Sequence, residues 1–385
     1  MADWQTLPLG DALTFQRGFD ITKVEQREGL YSVFSSSGPK TTHAEFKAHG
    51  PGVIIGRKGS LGTVFYSDGD YWPHDTTLWV KDFHGNHPRF AYYFLQTMGF
   101  ERLDAGASNP SLNRNHIHTI PVLWPPLPVQ RRIASILSAY DELMENSQRR
   151  IRILEEMARA LYREWFVDFR FPGHEKLPRV ASPLGDIPRG WAVKKLADVA
   201  EVNSAQINAR NAPDELHYID ISSVSPGQID TITTYAFADA PGRARRIVQH
   251  GDVLWSCVRP NRRSHAQVMH PEPNTIASTG FAVVTARKVP FTFLYFTTTT
   301  DDFVAYLTNN ATGAAYPAVT AATFEKADLL IPPTPLLTKF GEASIPMAEQ
   351  IHTLQRQILI LRRTRDLLLP RLLSGQTPVL LGAKQ

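Results

Sequence analysis

Few residue patterns in this chain have the types and spacing that catalysis requires. Residues 109–111 (Asn-Pro-Ser) begin like the Asx-Pro-Pro-aromatic tetrapeptide that grips a flipped adenine for N6 methylation, but the second proline and the aromatic ring are missing. Residues 45–47 (Glu-Phe-Lys) would be half of a nuclease signature, yet no Pro-Asp precedes them on a convincing strand. Ser36 and Ser37 lie in no nucleophile-elbow context. We therefore expect a chain that is not an enzyme by itself.

Metal and phosphate sites are equally weak in the sequence. The His116-x-His118 and His84-x-x-His87 pairs have no Asp, Glu or Cys at a ligand spacing, so satisfied loop histidines are the better interpretation. Three glycines between residues 56 and 62 are spaced as in a hairpin turn, not as in a phosphate-binding loop. Cys257 is the single cysteine, which leaves no partner for an internal disulfide and fits a reducing compartment. We predict neither a metal nor a cofactor in this chain.

Basic and polar side chains are concentrated on short loops. Such side chains can lie along a phosphate backbone or pair with base edges. A single one is more often only a solvated loop residue, but their recurrence on repeated loops of a protein with pI near 9.1 favours DNA. The predicted DNA-binding residues are Arg57, Lys58, Ser60, His74, Thr76, Asn109, Ser111, Asn113, Arg114, Arg259, Asn261, Arg262, Arg263, Ser278, Thr279, Thr312 and Tyr316.

The composition is that of an ordinary globular protein. The 385 residues are enough for two or three domains, with 43% hydrophobic residues, 20% charged residues and a net charge of +4. The N-terminus lacks a basic-then-apolar signal pattern, and no apolar run approaches the length of a membrane span. We therefore expect a cytoplasmic protein with no membrane partner.

Two long helices organise the chain. Apolar residues recur between residues 137 and 165 in alternating steps of three and four, which is the 3.5-residue period of a coiled coil. Adding 207 to each position gives a second such series, with Ser344 and Arg365 as polar exceptions, and the same offset carries one Pro-Pro pair, 125–126, onto another, 332–333. The predicted seam residues are Leu137, Tyr140, Met144, Ile151, Leu154, Leu161, Met347, Ile351, Leu354, Ile358, Leu361 and Leu368.

The repeat extends to the segments before each helix. Residues 50–66 predict two strands joined by a basic, glycine-rich turn, and residues 250–268 predict the same hairpin. One strand is predicted after Pro73, and one helix over residues 89–103 that Gly106 ends. Four prolines make regular structure improbable between residues 171 and 190. In the second long helix, Ser344 is placed to cap the N-terminus and Pro346 suits the first turn.

Three segments carry a resemblance to a known family: PGVIIGRKGSLGTVFY, NPSLNRNHIHTIPVLWPPLPVQRRIASILSAYDEL and LYREWFVDFRFPG. Together with the duplication, the chain resembles a specificity subunit of a type I restriction–modification system over nearly its whole length. The second copy departs from the pattern, since it lacks a counterpart of Gln130-Arg131-Arg132-Ile133. The resemblance implies an α+β fold: two tandem α/β target recognition domains, each followed by a long helix, with the helices paired as an antiparallel coiled coil in pseudo-twofold symmetry.

On this basis the expected domains are a first recognition domain (residues 1–127), a central spacer helix (128–170), a linker (171–190), a second recognition domain (191–335), a C-terminal spacer helix (336–375) and a tail (376–385). The resemblance implies partners as well: double-stranded DNA with a bipartite, interrupted target, two methyltransferase subunits that carry S-adenosylmethionine, and restriction motor-nuclease subunits that use ATP and Mg. Two other classes stay open from the residues alone, a stand-alone DNA-binding regulator and a structural adaptor that binds only protein.

Overall fold

The computed structural model describes residues 4–104 and 111–379, which divide into two compact units. Unit 1 comprises Met1–Ser147 with Gln357–Gln385, and unit 2 comprises Gln148–Arg356. Each unit therefore contains part of both long helices.

Within the described residues, unit 1 contains nine short strands, three short helices and the first part of a long helix. The strands are β1 Gln5–Pro8, β2 Thr14–Arg17, β3 Tyr31–Ser35, β4 Gly38–His43, β5 Gly52–Gly56, β6 Val64–Ser67, β7 Tyr71–Pro73, β8 Thr77–Asp82 and β9 Pro121–Trp124. The helices are α1 Leu9–Ala12, α2 Pro88–Gln96, α3 Arg114–His118 and the long α4 Leu127–Tyr162. A π-helical turn, Arg163–Val167, extends α4.

Unit 2 contains the remaining elements. Its strands are β10 Arg179–Val180, β11 Ile187–Pro188, β12 Ala192–Lys195, β13 Ala200–Val202, β14 Glu215–Ile219, β15 Val224–Ser225, β16 Gln228–Ile229, β17 Thr233–Ala236, β18 Ala244–Ile247, β19 Val253–Ser256, β20 His265–Gln267, β21 Thr275–Ser278, β22 Phe281–Ala286 and β23 Asp328–Ile331. Its helices are α5 Phe291–Thr298, α6 Asp301–Asn309, α7 Ala321–Glu325 and α8 Thr334–Leu373, the last of which ends in unit 1.

The two units repeat the same strand topology. The antiparallel sheet β2-β8-β5-β6 of unit 1 corresponds to β13-β22-β19-β20 of unit 2. A second sheet with one parallel pair, β3 with β7, corresponds to the sheet in which β14 and β21 are parallel. The pair β1-β9 corresponds to β12-β23. The duplication inferred from the sequence is therefore present in the fold.

The central strands are buried on both faces, which explains their unbroken apolar sequence. In β5, Val53 and Ile55 pack into the core with α2, while Ile54 between them packs with Phe34 and Tyr71 of the second sheet. In β19, Val253 and Trp255 face one core and Leu254 faces another. Because alternate side chains of a strand point to opposite faces, one strand serves two layers in each unit.

The predicted seam residues are all buried or half-buried, whereas Leu359 and Ile360 beside them are exposed. In unit 1, Leu137 of α4 belongs to the same core as Leu372 of α8. In unit 2, the Tyr162 ring at the end of α4 contacts Phe340 near the start of α8. The start of each helix thus lies with the end of the other, which is the antiparallel arrangement.

The polar residue Arg365 is accommodated in this seam because its guanidinium pairs with the Asp141 carboxylate of α4. Its guanidinium donates to Asp141 of α4 at 2.6 Å and to Asp366 at 2.8 Å. The Tyr93 hydroxyl donates to the same Asp141 carboxylate from α2. The apolar period of the helix places the Arg365 charge at a seam position, and carboxylates of unit 1 pair with it there.

The structure corrects two predictions in the first domain. The strand predicted after Pro73 is divided, since β7 ends at Pro73 and a turn precedes β8. The helix predicted over residues 89–103 ends at Gln96, because Gly99 adopts a φ of 60° and a 3-10 turn, Phe100–Asp104, follows. Gly106 lies outside the described residues.

Two further corrections concern the linker and the second long helix. The linker contains the paired strands β10 and β11, and buried Phe171 and Ile187 tie it to the core of unit 2. Helix α8 begins at Thr334, so Pro346 lies inside it and Ser344 does not cap it. Instead, the buried Ser344 hydroxyl donates to the Phe340 carbonyl, as an interior helical serine does.

Candidate nucleic-acid interface

Three loop segments meet at one edge of unit 1. The Arg57 and Lys58 amides donate to the Thr76 carbonyl at 2.8 and 3.2 Å, which joins the β5–β6 turn to the β7–β8 turn. The Leu112 amide donates to the Arg57 carbonyl at 3.0 Å, and Lys58 forms a β-bridge with Ser111. Predicted site residues from three separate parts of the sequence are therefore neighbours.

The side chains at this edge form a polar cluster that combines the cations Arg17 and Arg57 with the carboxylates Asp75 and Asp20. Arg17 pairs with the Asp75 carboxylate at 2.8 Å, and Arg57 Nη1 lies 3.4 Å from the Asp75 carbonyl. The His74 Nδ1 lies 3.0 Å from the Thr76 hydroxyl. Burial lowers the pKa of Arg57, and the nearby Arg17 adds to this effect, but an arginine remains charged in proteins. The edge can therefore receive an anion.

The other predicted residues of unit 1 are arranged around this cluster. Ser60 is exposed in the β5–β6 turn. Asn113 caps α3 by accepting a hydrogen bond from the Asn115 amide at 3.0 Å, and the exposed Arg114 is the first residue of that helix. Asn109 lies outside the described residues. His118 is structural, as predicted for these loop histidines, since its Nε2 accepts from the Phe15 amide at 2.9 Å.

The corresponding edge of unit 2 has the same backbone connections. The Val319 amide donates to the Cys257 carbonyl at 2.9 Å, and Val258 forms a β-bridge with Ala318. The Cys257 amide donates to the Gly280 carbonyl at 2.9 Å. By these bonds Cys257 occupies the place that Arg57 has in unit 1.

The cations of unit 2 lie two to six residues after Cys257 along this turn. Arg259 donates to the Ala315 carbonyl at 3.3 Å and lies over the Tyr316 ring, 4.7 Å from its centroid. Arg263 pairs with Asp301 of α6. Asn261, Arg262 and Thr312 are exposed, and so is Tyr316, with 69% of its surface accessible. An exposed aromatic ring under a guanidinium offers a flat, cationic surface.

Ser278 and Thr279 have different environments. Thr279 is exposed, and its amide donates to the Arg243 carbonyl at 2.8 Å. Ser278 is fully buried, and its hydroxyl accepts from the Gly280 amide at 3.2 Å. We therefore exclude Ser278 from the interface. The buried hydroxyl shapes the turn between β21 and β22 instead.

The structure adds cationic residues that the loop argument missed. Arg17 at the end of β2 belongs to the unit 1 edge through Asp75. In unit 2, Arg243 and Arg245 of the β18 segment lie beside Thr279 and at the sheet edge. The run Arg243-Ala-Arg-Arg246 is a basic signal in the sequence, but it lies outside the repeated hairpin.

Comparison with known proteins shows what the part of the chain that carries the unit 1 edge is similar to. Residues 1–156 match the family model of the type I restriction modification DNA specificity domain. Over these residues the chain is similar to a type I DNA specificity domain. The predicted resemblance to type I specificity subunits is confirmed.

Relatives and a solved structure extend this likeness beyond residue 156. The chain is 24% identical over 306 residues to the MjaIX specificity subunit of Methanocaldococcus jannaschii, covering 75% of this chain and 69% of that one. It is 21% identical to the HindI specificity subunit of Haemophilus influenzae, covering 98% and 100%. The crystal structure of a type I S subunit from M. genitalium matches 97% of this chain and 96% of that chain, with a TM-score of 0.68 and 17% identity, which shows the fold.

Within the described residues, none of the helices is long and apolar enough to cross a membrane. The long helices α4 and α8 carry charged residues along their exposed faces.

Proposed function

We propose that this chain is the non-catalytic DNA-recognition subunit of a type I restriction–modification complex, and that it reads a bipartite, interrupted target. Each specificity domain would read one half of the target with its own loop edge. Adenine methylation, or restriction, would be performed by partner subunits.

The observation that carries this proposal is the convergence of basic and polar loops at the same topological edge of both units. Backbone hydrogen bonds fix these loops to each other in each unit, so their side chains are presented on a preorganised edge rather than on independent loops. The loops themselves differ: Arg57 and Lys58 stand in unit 1 where Cys257 and Val258 stand in unit 2. A duplicated scaffold with different loops suits the recognition of two different half-sites.

The proposal assigns the chemistry to partners. Two methyltransferase subunits would supply S-adenosylmethionine and the adenine-methylating motif that this sequence lacks. Restriction motor-nuclease subunits would use ATP and Mg. This chain would need no cofactor for recognition.

The decisive experiment is a methylome. The chain is expressed with its neighbouring methyltransferase gene in a host without adenine methylation, and modified bases are sequenced directly. The expected result is one two-part motif with a fixed unspecified gap, methylated on opposite strands in its two halves. No new methylation, despite a purified complex of the two proteins, would contradict the proposal.

Two further assays on the same protein distinguish this proposal from a stand-alone regulator and from a structural adaptor. A stand-alone regulator would bind specific DNA tightly without any partner subunit, in a gel-shift assay with the chain alone. An adaptor that binds only protein would keep its function after charge reversal at Arg57, Lys58, Arg259, Arg262 and Arg263.

A further inference from the structure

Two histidines lie side by side at one end of the β19–β20 hairpin of unit 2. His250 precedes β19 and His270 follows β20, and the pairing of Val253 with Gln267 brings the two turns together. Their rings are 4.3 Å apart between centroids and inclined by 37°. His270 adopts a φ of 44°, a left-handed conformation that costs energy in a non-glycine residue. The strained backbone places the imidazole beside its neighbour.

Helix α8 supplies a carboxylate and a third imidazole to the same place. Glu349 and His352 are three residues apart and so share one face of the helix. A Glu349 oxygen lies 2.6 Å from His270 Nε2, and the other lies 3.6 Å from His250 Nε2. The His352 ring is 5.5 Å from the His270 ring.

His352 has a buried nitrogen that needs a partner. Its Nε2 is buried and makes no hydrogen bond among the described residues. A neutral imidazole nitrogen without a hydrogen-bond partner is free to act as a metal ligand.

We propose that His250, His270 and Glu349 bind a zinc ion, with His352 as a further nitrogen ligand. Two or three imidazoles with one carboxylate are the mixed N/O donor set that zinc uses in proteins. Ligand atoms of the first three residues lie within 4.8 Å of one another. In a tetrahedral zinc site they would be roughly 3.3 Å apart, because each is about 2.0 to 2.2 Å from the metal. Binding would therefore require side-chain rotations that bring the ligand atoms to that separation.

The rival explanation is an ion pair between protonated histidine and Glu349. Glu349 lies within ion-pair distance of two imidazoles, His270 at 2.6 Å and His250 at 3.6 Å, and the His352 ring and Arg356 are nearby. Protonating more than one ring would bring like charges into contact. Zinc ligation has its own cost, since binding through His250 Nε2 places the proton on Nδ1 and gives up a long, 3.3 Å contact from the His270 amide. Arg356 also opposes the cation, so the affinity depends on Glu349.

Zinc at this position would join two turns of the sheet β13-β22-β19-β20 to α8 within unit 2. Because the ligands come from segments that are distant in sequence, the unfolded chain would not present them together. The metal would therefore stabilise the folded state of the second domain, and protons would compete with it as the pH falls. This role does not depend on DNA recognition.

Zinc titration of the untagged full chain tests the proposal. The chain is treated with chelator, returned to a non-coordinating buffer, and titrated with zinc chloride by calorimetry, with thermal unfolding followed in parallel. The expected results are one zinc per chain and a rise in Tm with added zinc. Glu349→Gln, which keeps the size but removes the charge, should weaken binding roughly tenfold or more. Glu342→Gln, exposed on the same helix, should leave binding unchanged.

A second variant guards against misfolding as an explanation. His270→Asn removes the imidazole while keeping a residue that tolerates the left-handed backbone. With cobalt(II) in place of zinc, the parent chain and Glu342→Gln should show the visible absorption of a low-symmetry metal site, and His270→Asn should lose it. An unaltered zinc affinity in both Glu349→Gln and His270→Asn, or less than one zinc bound by the parent chain, would overturn the proposal in favour of an ion pair only.

Discussion

Arg57 keeps its charge available because a different arginine takes the local carboxylate. Arg17 pairs with Asp75 at 2.8 Å, while among the residues that the structure describes the Arg57 guanidinium has only the Asp75 carbonyl as a hydrogen-bond partner, at 3.4 Å. Its backbone is held on both sides, by Thr76 and by Leu112. A cation with a fixed backbone and no carboxylate of its own is well suited to a phosphate.

The first prediction concerns this residue. In the complex with methyltransferase subunits, Arg57→Ala should weaken DNA binding and reduce the slope of log affinity against log salt by about one, since one phosphate contact is lost. Binding isotherms at several salt concentrations measure both quantities. Lys81→Ala is the control, because Lys81 is exposed at the other end of β8. Equal salt slopes for the two variants would remove Arg57 from the interface.

His265 gives a prediction about acid stability. Burial lowers its pKa to about 4, with Arg263 and Arg159 contributing. Between pH 6.5 and about 4 the unfolded chain binds a proton that the folded chain does not, so the free energy of unfolding falls as the pH falls. The loss through this window should approach about 3 kcal/mol. Above pH 6.5 the residue is neutral in both states and contributes no pH dependence.

His265→Phe keeps the ring contact with Trp255, which has a centroid distance of 4.7 Å, and removes the proton site. Urea unfolding over the same pH window should show a shallower acid loss in this variant. The exposed His116 supplies the control as His116→Gln. If the free energy of unfolding falls as steeply with pH in His265→Phe as in the parent, groups other than His265 cause the acid destabilisation.

At the scale of elements, the exposure of a residue in the long helices depends on whether it lies in the seam. Ile358 is 7% exposed, while Ile360, two residues further along α8, is 63% exposed. Ile358→Ala should lower the free energy of unfolding by about 2 to 4 kcal/mol, because it removes buried methyl groups and leaves a cavity. Ile360→Ala should change it by no more than about 0.5 kcal/mol. Denaturant titration compares them, and equal losses would show that the seam is not what stabilises α8.

Elements with strong local patterns could be predicted from the sequence. The backbone bonds that join them to distant segments could not. The two helix seams and the two hairpins follow from apolar periodicity, which is a local property. The turn at His74 that divides β7 from β8 depends on a backbone bond to Phe34 of another strand. The structural correspondence of Arg57 with Cys257 depends on backbone hydrogen bonds from Leu112 and Val319, which lie far along the chain.

The histidine cluster could not be predicted from the sequence, because long-range contacts bring its residues together. A search by spacing finds ligands only when they are close in the chain, as in His116-x-His118. His250 and His270 are brought together by strand pairing, and Glu349 comes from a helix that packs in the same unit. The sequence predicted no metal site, and the proposed zinc site departs from that prediction.

At the scale of the whole molecule, α4 and α8 are the elements that both units share. Residues 127–147 of α4 belong to unit 1 and residues 148–162 to unit 2, and α8 passes from unit 2 to unit 1 at residue 356. The number of residues in these helices is therefore a length that the two units have in common. If each domain reads one half-site, that length should set the unspecified gap in the target.

The last prediction tests this idea. Deleting one heptad from each helix preserves the 3.5-residue seam and shortens the helices by roughly 10 Å at about 1.5 Å per residue. That corresponds to about three base pairs at about 3.4 Å each. The methylome of the shortened protein should therefore show both half-site sequences unchanged and a gap about three base pairs smaller. Deleting seven residues from the tail after α8 serves as the control and should leave the motif unaltered. Altered half-sites with an unchanged gap would mean that the loops, and not the helices, determine the spacing.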